Sequence, residues 1–415
     1  MASNLDALIG GAGKALASRN YRIYWSGGVF SILGFWMHKL ALSVLVWEIT
    51  HSLLWLGVIG FVALFPAFIL SPFSGAVGDR FGMRKTAMIA LTIAGTSAAV
   101  LGIVVLMDKH NVWIVLVLTT IQGLAFAFDL PARQGLVPLL VERPVLSAAI
   151  AVNTTTFHLG ATVGPGLFFL FASYLDLEWA FLLNAASFFY FGHCLNALDL
   201  PPRPVKDLTG TTLLTDMRDG LIYAWTHPGI RALFLMAIIP HLLVRPFTDL
   251  LPGYSELIFH RGADGVAIMA ASFGLGSFLF GLWLARRGRM SGLSRFNVVS
   301  IFFCTILMFG FAVTGNFWFA VGCLFGAGVC IIAFAVANQS LVQNAVDPTK
   351  RARVISLSTG LAVGLPAIGA LGIGALLEVF GPQAPLAGAM ILGLIVWFWT
   401  SRGILRNAED LEKER

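Results

Sequence analysis

Charged side chains are scarce in this chain of 415 residues, of which Lys, Arg, Asp and Glu make up only 12%. A soluble globular protein carries roughly 25% of such residues. Hydrophobic residues make up 58% of the sequence, and a soluble chain of this length would need far more polar surface. The composition therefore excludes a water-soluble protein and indicates a polytopic membrane protein.

Signatures of enzymes and of cofactor sites are missing as well. The four cysteines lie in apolar runs, without the spacing of metal ligands or of paired extracellular cysteines. The sequence contains no G-x-x-x-x-G-K-[ST] phosphate loop, no G-x-S-x-G and no H-E-x-x-H. We therefore expect a protein that is not an enzyme, binds no metal or other cofactor and draws no energy from ATP.

The sequence contains many long apolar runs. A membrane-spanning helix needs about 20 apolar residues to cross roughly 30 Å of hydrocarbon. On that criterion the sequence predicts an all-α membrane protein with about twelve transmembrane helices. The predicted spans cover residues 23–47, 53–77, 86–107, 112–132, 147–174, 179–198, 231–252, 265–285, 296–314, 317–343, 354–378 and 384–401.

Cations between these spans are concentrated in alternate segments. Lys and Arg precede the first span and follow each even-numbered span, whereas the opposite side holds only Lys109 and Arg261. Since cytoplasmic loops carry the excess of positive charge, this asymmetry places both termini in the cytoplasm. The net charge of +6 thus reports membrane topology, and we expect no nucleic-acid partner.

The predicted spans divide six and six around one long internal segment. Residues 23–198 form the N-terminal six-helix half and residues 231–401 the C-terminal half, separated by a cytoplasmic linker at 199–230. Residues 1–22 form a cytoplasmic amphipathic segment, because apolar side chains recur there on one helical face. Residues 402–415 form a cytoplasmic tail.

Two sequence patterns occur in both the N-terminal and the C-terminal half. The pattern that begins at Gly75 recurs at Gly281, an offset of 206 positions (281 − 75). A second pattern, beginning at Ala132, recurs at Ala337 with an offset of 205 (337 − 132). Two matches at nearly one offset indicate an internal repeat, and an even number of spans per copy makes the repeats parallel.

The first of these repeated patterns, which begins at Gly75, also resembles the motif of a known family. It reads Gly75-x-x-x-Asp79-Arg80-x-Gly82-x-Arg84-Lys85 and lies between the second and third spans. This pattern resembles the loop at the same place in the major facilitator superfamily, and the resemblance covers essentially the whole chain. It implies two pseudo-symmetric six-helix halves that expose a central cavity alternately to each side of the membrane.

The resemblance further implies a conformational latch at this loop, in which Asp79 pairs with cations of the loop and Asp129 meets Arg84 or Arg133. The alternative is that these charges only fix the topology. The residues assigned to the latch are Gly75, Asp79, Arg80, Gly82, Arg84, Lys85, Asp129 and Arg133.

The fifth predicted span contains Gly160-x-x-x-Gly164-Pro165, which resembles the antiporter motif of drug:proton exporters. Phe168 and Phe169 stand where two further glycines usually follow. Close helix packing with a kink explains the same residues and is compatible with an antiporter role. The stretches at 128–134 and 179–184 look like the exporter branch that contains enterobactin and macrolide efflux proteins.

Charges inside the predicted spans point to a functional site, because a cation in hydrocarbon costs at least about 2.5 kcal/mol and normally faces a cavity or a partner. Lys39 and Arg245 are 206 positions apart (245 − 39), the repeat offset, and Asp249 follows Arg245 by one helical turn. A structural ion pair or snorkelling to the outer surface is the alternative. The predicted substrate or proton site comprises His38, Lys39, Glu48, His241, Arg245 and Asp249, with Asp249 as the first choice for the proton.

We accordingly expect a multi-pass protein of the bacterial cytoplasmic (inner) membrane, a monomer whose partners are the lipid bilayer, protons and a small-molecule substrate. The expected function is secondary active export of an amphipathic drug, siderophore or metabolite by proton-coupled alternating access. One alternative is a facilitator, an uptake permease or a lysolipid flippase on the same fold. Another is a membrane scaffold or sensor that transports nothing.

Overall fold

The structure, a computed structural model, describes residues 12–172, 176–200, 221–287, 292–347 and 350–412. All the long regular elements in these ranges are helices, so the all-α prediction is confirmed. Most of the predicted N-terminal amphipathic face and residues 201–220 of the predicted linker lie outside the described residues.

Ten helical segments of the described chain are long and apolar enough to cross a membrane, and the protein is a multi-pass membrane protein. The predicted fifth and sixth spans are helices too. In chain order the helices are α1 (Arg19–Thr50), α2 (Leu53–Phe81), α3 (Met83–Leu106), α4 (Val112–Leu140), α5 (Leu146–Ala172), α6 (Glu178–Asn196), α7 (Pro228–Ile238), a π-helix (Ile239–Val244), α8 (Phe247–Leu257), α9 (Gly262–Arg287), α10 (Leu293–Val313), α11 (Phe317–Ala345), α12 (Arg351–Phe380), α13 (Ala384–Arg406) and α14 (Ala408–Glu412).

The first of two compact units contains Met1–Thr50 and Val62–Leu208. Its core joins α1, α3, α4 and α6 around fully buried side chains such as Tyr21, Leu136 and Phe191. The Tyr21 hydroxyl donates a hydrogen bond to the carbonyl oxygen of Ala149 at 2.8 Å, which ties α1 to the start of α5. Such hydrogen bonds join helices where apolar burial gives little driving force between them.

The second unit contains His51–Phe61 and Thr209–Arg415, so the first turns of α2 belong to it. There Gly57 lies against the backbone of Ala370 in α12, which only a residue without a side chain allows. The Glu378 carboxylate accepts hydrogen bonds from the backbone N–H groups of Leu53, at 2.7 Å, and Leu54, at 3.2 Å. An acidic side chain of α12 thereby caps the N-terminus of α2.

The turn between α2 and α3 is shorter than the sequence suggested. The predicted second span ended at residue 77, but α2 continues to Phe81 and α3 begins at Met83. The whole reversal is made at Gly82, whose φ of +91° is accessible to glycine and costly for other residues. The motif read as a loop is therefore two helix ends joined by one residue.

The predicted seventh span, at 231–252, is an irregular helix that runs from Pro228 to Leu257. Its middle is the π-helix, in which the Arg245 N–H donates to the carbonyl oxygen of Pro240 at 2.9 Å. Pro246 has no N–H to donate within the helix, and the Gly369 backbone in α12 packs against the Leu242 carbonyl oxygen. Helical irregularities of this kind occur often at functional sites.

The short helix α14 lies in the region predicted as a cytoplasmic tail. Leu411 is fully buried and contacts Gly229 at the start of α7. The Glu412 carboxylate accepts hydrogen bonds from the N–H groups of Gly292, at 3.1 Å, and Ser294, at 2.8 Å. The Glu412 side chain of α14 thus caps the N-terminus of α10.

Glycines of α11 offer a matched test of helix packing. We expect Gly328→Ala to destabilise the protein by about 1–3 kcal/mol, because the added methyl would meet the Phe273 backbone carbonyl in α9. Gly322→Ala is the control, since open space surrounds that position on the same helix. Thermal unfolding in detergent should separate the two variants, and equal midpoints would contradict the packing.

Candidate functional site

A buried ion pair lies in the first unit, on α4. The Arg133 guanidinium donates from Nε to Asp129 Oδ1 at 2.7 Å and from Nη2 to Oδ2 at 2.5 Å. Arg133 also donates to the Ser31 hydroxyl at 3.2 Å and lies 4.6 Å from the centre of the Phe191 ring. The Tyr24 hydroxyl donates to the Arg133 carbonyl oxygen at 3.4 Å. The pair therefore connects α4 with α1 and α6.

The other cations assigned to the latch lie apart from the Asp129–Arg133 pair. Arg84 donates from Nη1 to the carbonyl oxygen of Leu198, beyond the end of α6, at 2.9 Å. Arg80 is exposed and lies 5.9 Å from the Phe81 ring centre, and Lys85 is exposed on the first turn of α3. Of the two cations proposed for Asp129, the structure places Arg133 beside it.

Gly75 and Asp79 lie in the last turns of α2, and Pro165 lies in α5. The side chains of Asp79 and Pro165 are outside the described part of the structure. The expected pairing of Asp79 with the loop cations therefore stays a prediction.

Gly160 and Gly164 bring α5 into close contact with α1. A methyl group at Gly160 would collide with the Ile32 side chain, and one at Gly164 would lie 2.5 Å from Cβ of Trp36. Both glycines therefore permit helix packing that a larger residue would prevent.

This packing supports an aromatic cluster on α1, α4 and α5. The rings of Phe35 and Phe126 stack with their centres 5.9 Å apart, and the Trp36 and Phe157 rings meet edge to face at 5.6 Å. The Lys39 ammonium lies 5.7 Å from the centre of the Trp36 ring. A cation beside aromatic faces suits a ligand that is itself aromatic or amphipathic.

Charged and titratable residues of the second unit meet at the π-helix. Asp249, on α8, is only 6% exposed, and its carboxylate lies within contact distance of the Gly60 backbone in α2. Arg245 and His241 are half-buried on the same span, and the His241 ring lies 6.5 Å from the Phe334 ring. The structure thus brings Arg245, Asp249 and His241 onto one irregular helix.

The remaining predicted residues lie on α1. His38 is 4% exposed and meets the Phe181 ring edge to face at 4.9 Å, within the first unit's packing. Among the described residues neither nitrogen of His38 has a hydrogen-bond partner. Glu48 is exposed less than one turn from the end of the helix.

Several residues around these groups were missing from the prediction. Ser31, Tyr24 and Phe191 surround Arg133, and Gly60 adjoins Asp249. Nothing distinguishes them in the sequence from other small, hydroxyl or aromatic residues of the spans. The two prolines at 240 and 246 were the available signal for the π-helix.

The chain is similar to known transporters. The sequence model of a family described as "transmembrane secretion effector" matches residues 12–415. The staphyloferrin A transporter of Staphylococcus aureus is 20% identical over 87% of this chain and 90% of its own length. Macrolide efflux protein A of Streptococcus pyogenes is 23% identical over 80% of this chain and 83% of its own length.

A similar fold is found among solved structures. A bacterial homologue of the human lysosomal transporter Spinster superposes with a TM-score of 0.72 at 14% identity, covering 94% of this chain and 99% of that protein. At this identity the likeness concerns the fold.

Proposed function

Because this chain belongs to the transmembrane secretion effector family of the major facilitator superfamily, we propose that it exports an amphipathic small molecule by proton-coupled alternating access. Members of this superfamily are transporters and not enzymes, and the similar macrolide efflux protein agrees with export. The finer proposals, on the proton, the substrate and the latch, rest on the geometry of individual residues.

The main observation in support of proton coupling is the buried carboxylate of Asp249. An acid that is 6% exposed within a membrane helix is costly to keep there, and such acids mark the paths of protons and substrates. Asp249 follows a π-helix and lies one turn after the half-buried Arg245, so a change in the charge of the carboxylate acts on a nearby guanidinium. We assign the transported proton to Asp249 and a part in coupling to Arg245, one turn before it, and to His241, which lies on the same irregular span.

The substrate proposal rests on the aromatic cluster of Phe35, Trp36, Phe126 and Phe157, with Lys39 at its side. Apolar walls with few polar groups favour an amphipathic molecule over a sugar. The relatives named for a siderophore, staphyloferrin A, and for macrolides support the same class. A drug, a siderophore or a secondary metabolite with aromatic or apolar faces fits this surface.

The proposed latch consists of the buried Asp129–Arg133 pair with the charges around Gly82. Charges that pair in one conformation and separate in another give a transporter two discrete states. We further place the protein as a monomer in the bacterial cytoplasmic membrane, with both termini in the cytoplasm because the cations of the short loops lie on that side.

Purified protein in liposomes that contain a pH-sensitive dye tests this proposal. With an imposed proton gradient, a panel that includes a catechol siderophore and a macrolide should produce a substrate-dependent proton flux. Substrate movement without proton flux would replace export with the facilitator or flippase alternative, for which Phe168 and Phe169 leave room. No substrate movement with any compound would favour a scaffold or sensor.

The contact of α5 with α1 gives a prediction in the same assay. Gly164→Val should lower the transport rate about tenfold, because the larger side chain would meet Trp36 and cost roughly 1–3 kcal/mol in the packed state. Gly166→Val is the control, since a Cβ there has no neighbour within 4 Å. Equal rates in the two variants would remove Gly164 from the proposed mechanism.

A further inference from the structure

A groove in the first unit lies apart from the residues discussed so far. It has a volume of about 590 Å³, within the range of roughly 300–1,000 Å³ that small-molecule sites occupy. The groove runs between α2, α3 and α4. Its walls are formed by Val77, Phe81, Lys85, Thr86, Ile89, Ala90, Ile93, Ile121, Leu124, Ala125 and Phe128.

One end of the groove is polar. Lys85 is exposed on the first turn of α3, and the Thr86 residue beside it is only 6% exposed. The Thr86 hydroxyl oxygen is buried, so the charge at this end comes from the exposed side chains of Lys85 and of Arg80. Two exposed cations at one end suit an anionic oxygen ligand.

The rest of the groove is apolar and open at its side. Lys85, Ile89 and Ile93 follow one another at the i, i+4, i+8 spacing of one helical face. Ile89 is 51% exposed and Ile93 is 43% exposed, while Leu124 on α4 completes the facing wall. Eight residues of helix span about 12 Å, most of the roughly 15 Å of one leaflet's hydrocarbon.

This polarity matches one kind of molecule. The Lys85 end follows the predicted cytoplasmic turn at Gly82, so the apolar part extends from the inner surface toward the membrane centre. A lipid without a phosphate would leave the Lys85 ammonium without an anionic ligand, and a zwitterionic phospholipid would bring a second cation next to Lys85 and Arg80. A small soluble anion would leave the apolar walls unused. Charge and shape together favour an anionic lipid.

We propose that this groove binds an anionic phospholipid of the inner leaflet. The headgroup phosphate accepts hydrogen bonds from the Lys85 ammonium, and one acyl chain lies along Ile89 and Ile93. Arg80, which lies over the Phe81 ring at the groove's polar end, adds positive charge. The bound lipid would thus sit at the turn between α2 and α3.

Native mass spectrometry of the full chain in detergent tests the site with phosphatidylglycerol and phosphatidylcholine as probes. We expect one phosphatidylglycerol to be retained in preference to phosphatidylcholine. Lys85→Ala should weaken that binding about fivefold, the effect of one cation near an anionic headgroup. Lys109→Ala is the matched control, because Lys109 is an exposed cation on the opposite side and should leave binding unchanged.

A phosphatidylglycerol with a photoreactive group in its acyl chain locates the lipid. Labelling should fall on α3 between Ile89 and Ile93 and on the facing part of α4, and Ile93→Trp should reduce it by filling the groove. Equal binding by the Lys85→Ala and Lys109→Ala variants, equal retention of the two lipids, or labelling elsewhere would overturn the proposal. Displacement of the lipid by a transported macrolide or siderophore would also overturn it, by making the groove an entry site for substrate.

Discussion

In proteoliposomes, Asp249→Asn should reduce the substrate-dependent proton flux to the level of empty vesicles. Asparagine has nearly the shape of aspartate but cannot exchange a proton, so a variant that folds normally should lose coupling. Asp249 is buried on α8, next to the backbone of Gly60 and one turn from Arg245. Thermal unfolding in detergent checks that the variant is folded, because replacing a buried charge one turn from Arg245 also changes the stability of the protein.

Asp264→Asn is the matched control for this prediction. Asp264 is also an aspartate of the second unit, but it is exposed in the first turn of α9. Its replacement should leave the flux within about twofold of the wild-type value, since surface substitutions usually cost less than 0.5 kcal/mol. Flux that survives Asp249→Asn would exclude Asp249 and direct attention to Glu48, His38 or Asp129.

Replacing Arg133 with alanine should destabilise the protein by about 3–5 kcal/mol, because the substitution leaves the buried Asp129 carboxylate without its partner. The side chains of Arg133 and Asp129 are 16% and 11% exposed, so water compensates little of the loss. The contacts of Arg133 with Ser31 and Phe191 disappear in the same variant. Chemical or thermal unfolding in detergent measures the effect.

Two comparisons separate this cause from a general effect of losing arginine. Arg143→Ala removes an exposed arginine from the turn before α5 and should change stability by less than about 0.5 kcal/mol. Adding Asp129→Asn to Arg133→Ala should restore part of the stability, because the uncompensated charge is then gone. If the double variant were as unstable as Arg133→Ala alone, the buried carboxylate would not be the cause.

The sequence predicted the helices well because each apolar run must span a fixed thickness of hydrocarbon. It predicted their ends poorly, since a helix can continue past the membrane when neighbouring helices cover it. The second predicted span ended at residue 77, whereas α2 continues to Phe81 and turns at Gly82 alone. Hydropathy could not indicate that the first turns of α2 pack against α12 through Gly57, because this contact depends on tertiary structure.

Site residues were predictable where a charge is expensive in hydrocarbon, as for Asp129, Arg245 and Asp249. Their surroundings were not predictable. The repeat offset pointed to Lys39 and Arg245 alike. Only the structure shows that Lys39 lies beside Trp36 and that the π-helix ends just before Arg245. The aromatic residues of the cluster are of the same types as those on the lipid-facing surface, so the sequence does not distinguish them. The distances between their rings do.

The central claim, export driven by protons, is tested most directly in everted membrane vesicles that contain the protein and are supplied with an acidic interior but no ATP. Labelled substrate, a macrolide or a catechol siderophore, should accumulate inside above its external concentration, and a protonophore should abolish the accumulation. Substrate that only equilibrates across the membrane, with or without the protonophore, would contradict proton-driven export.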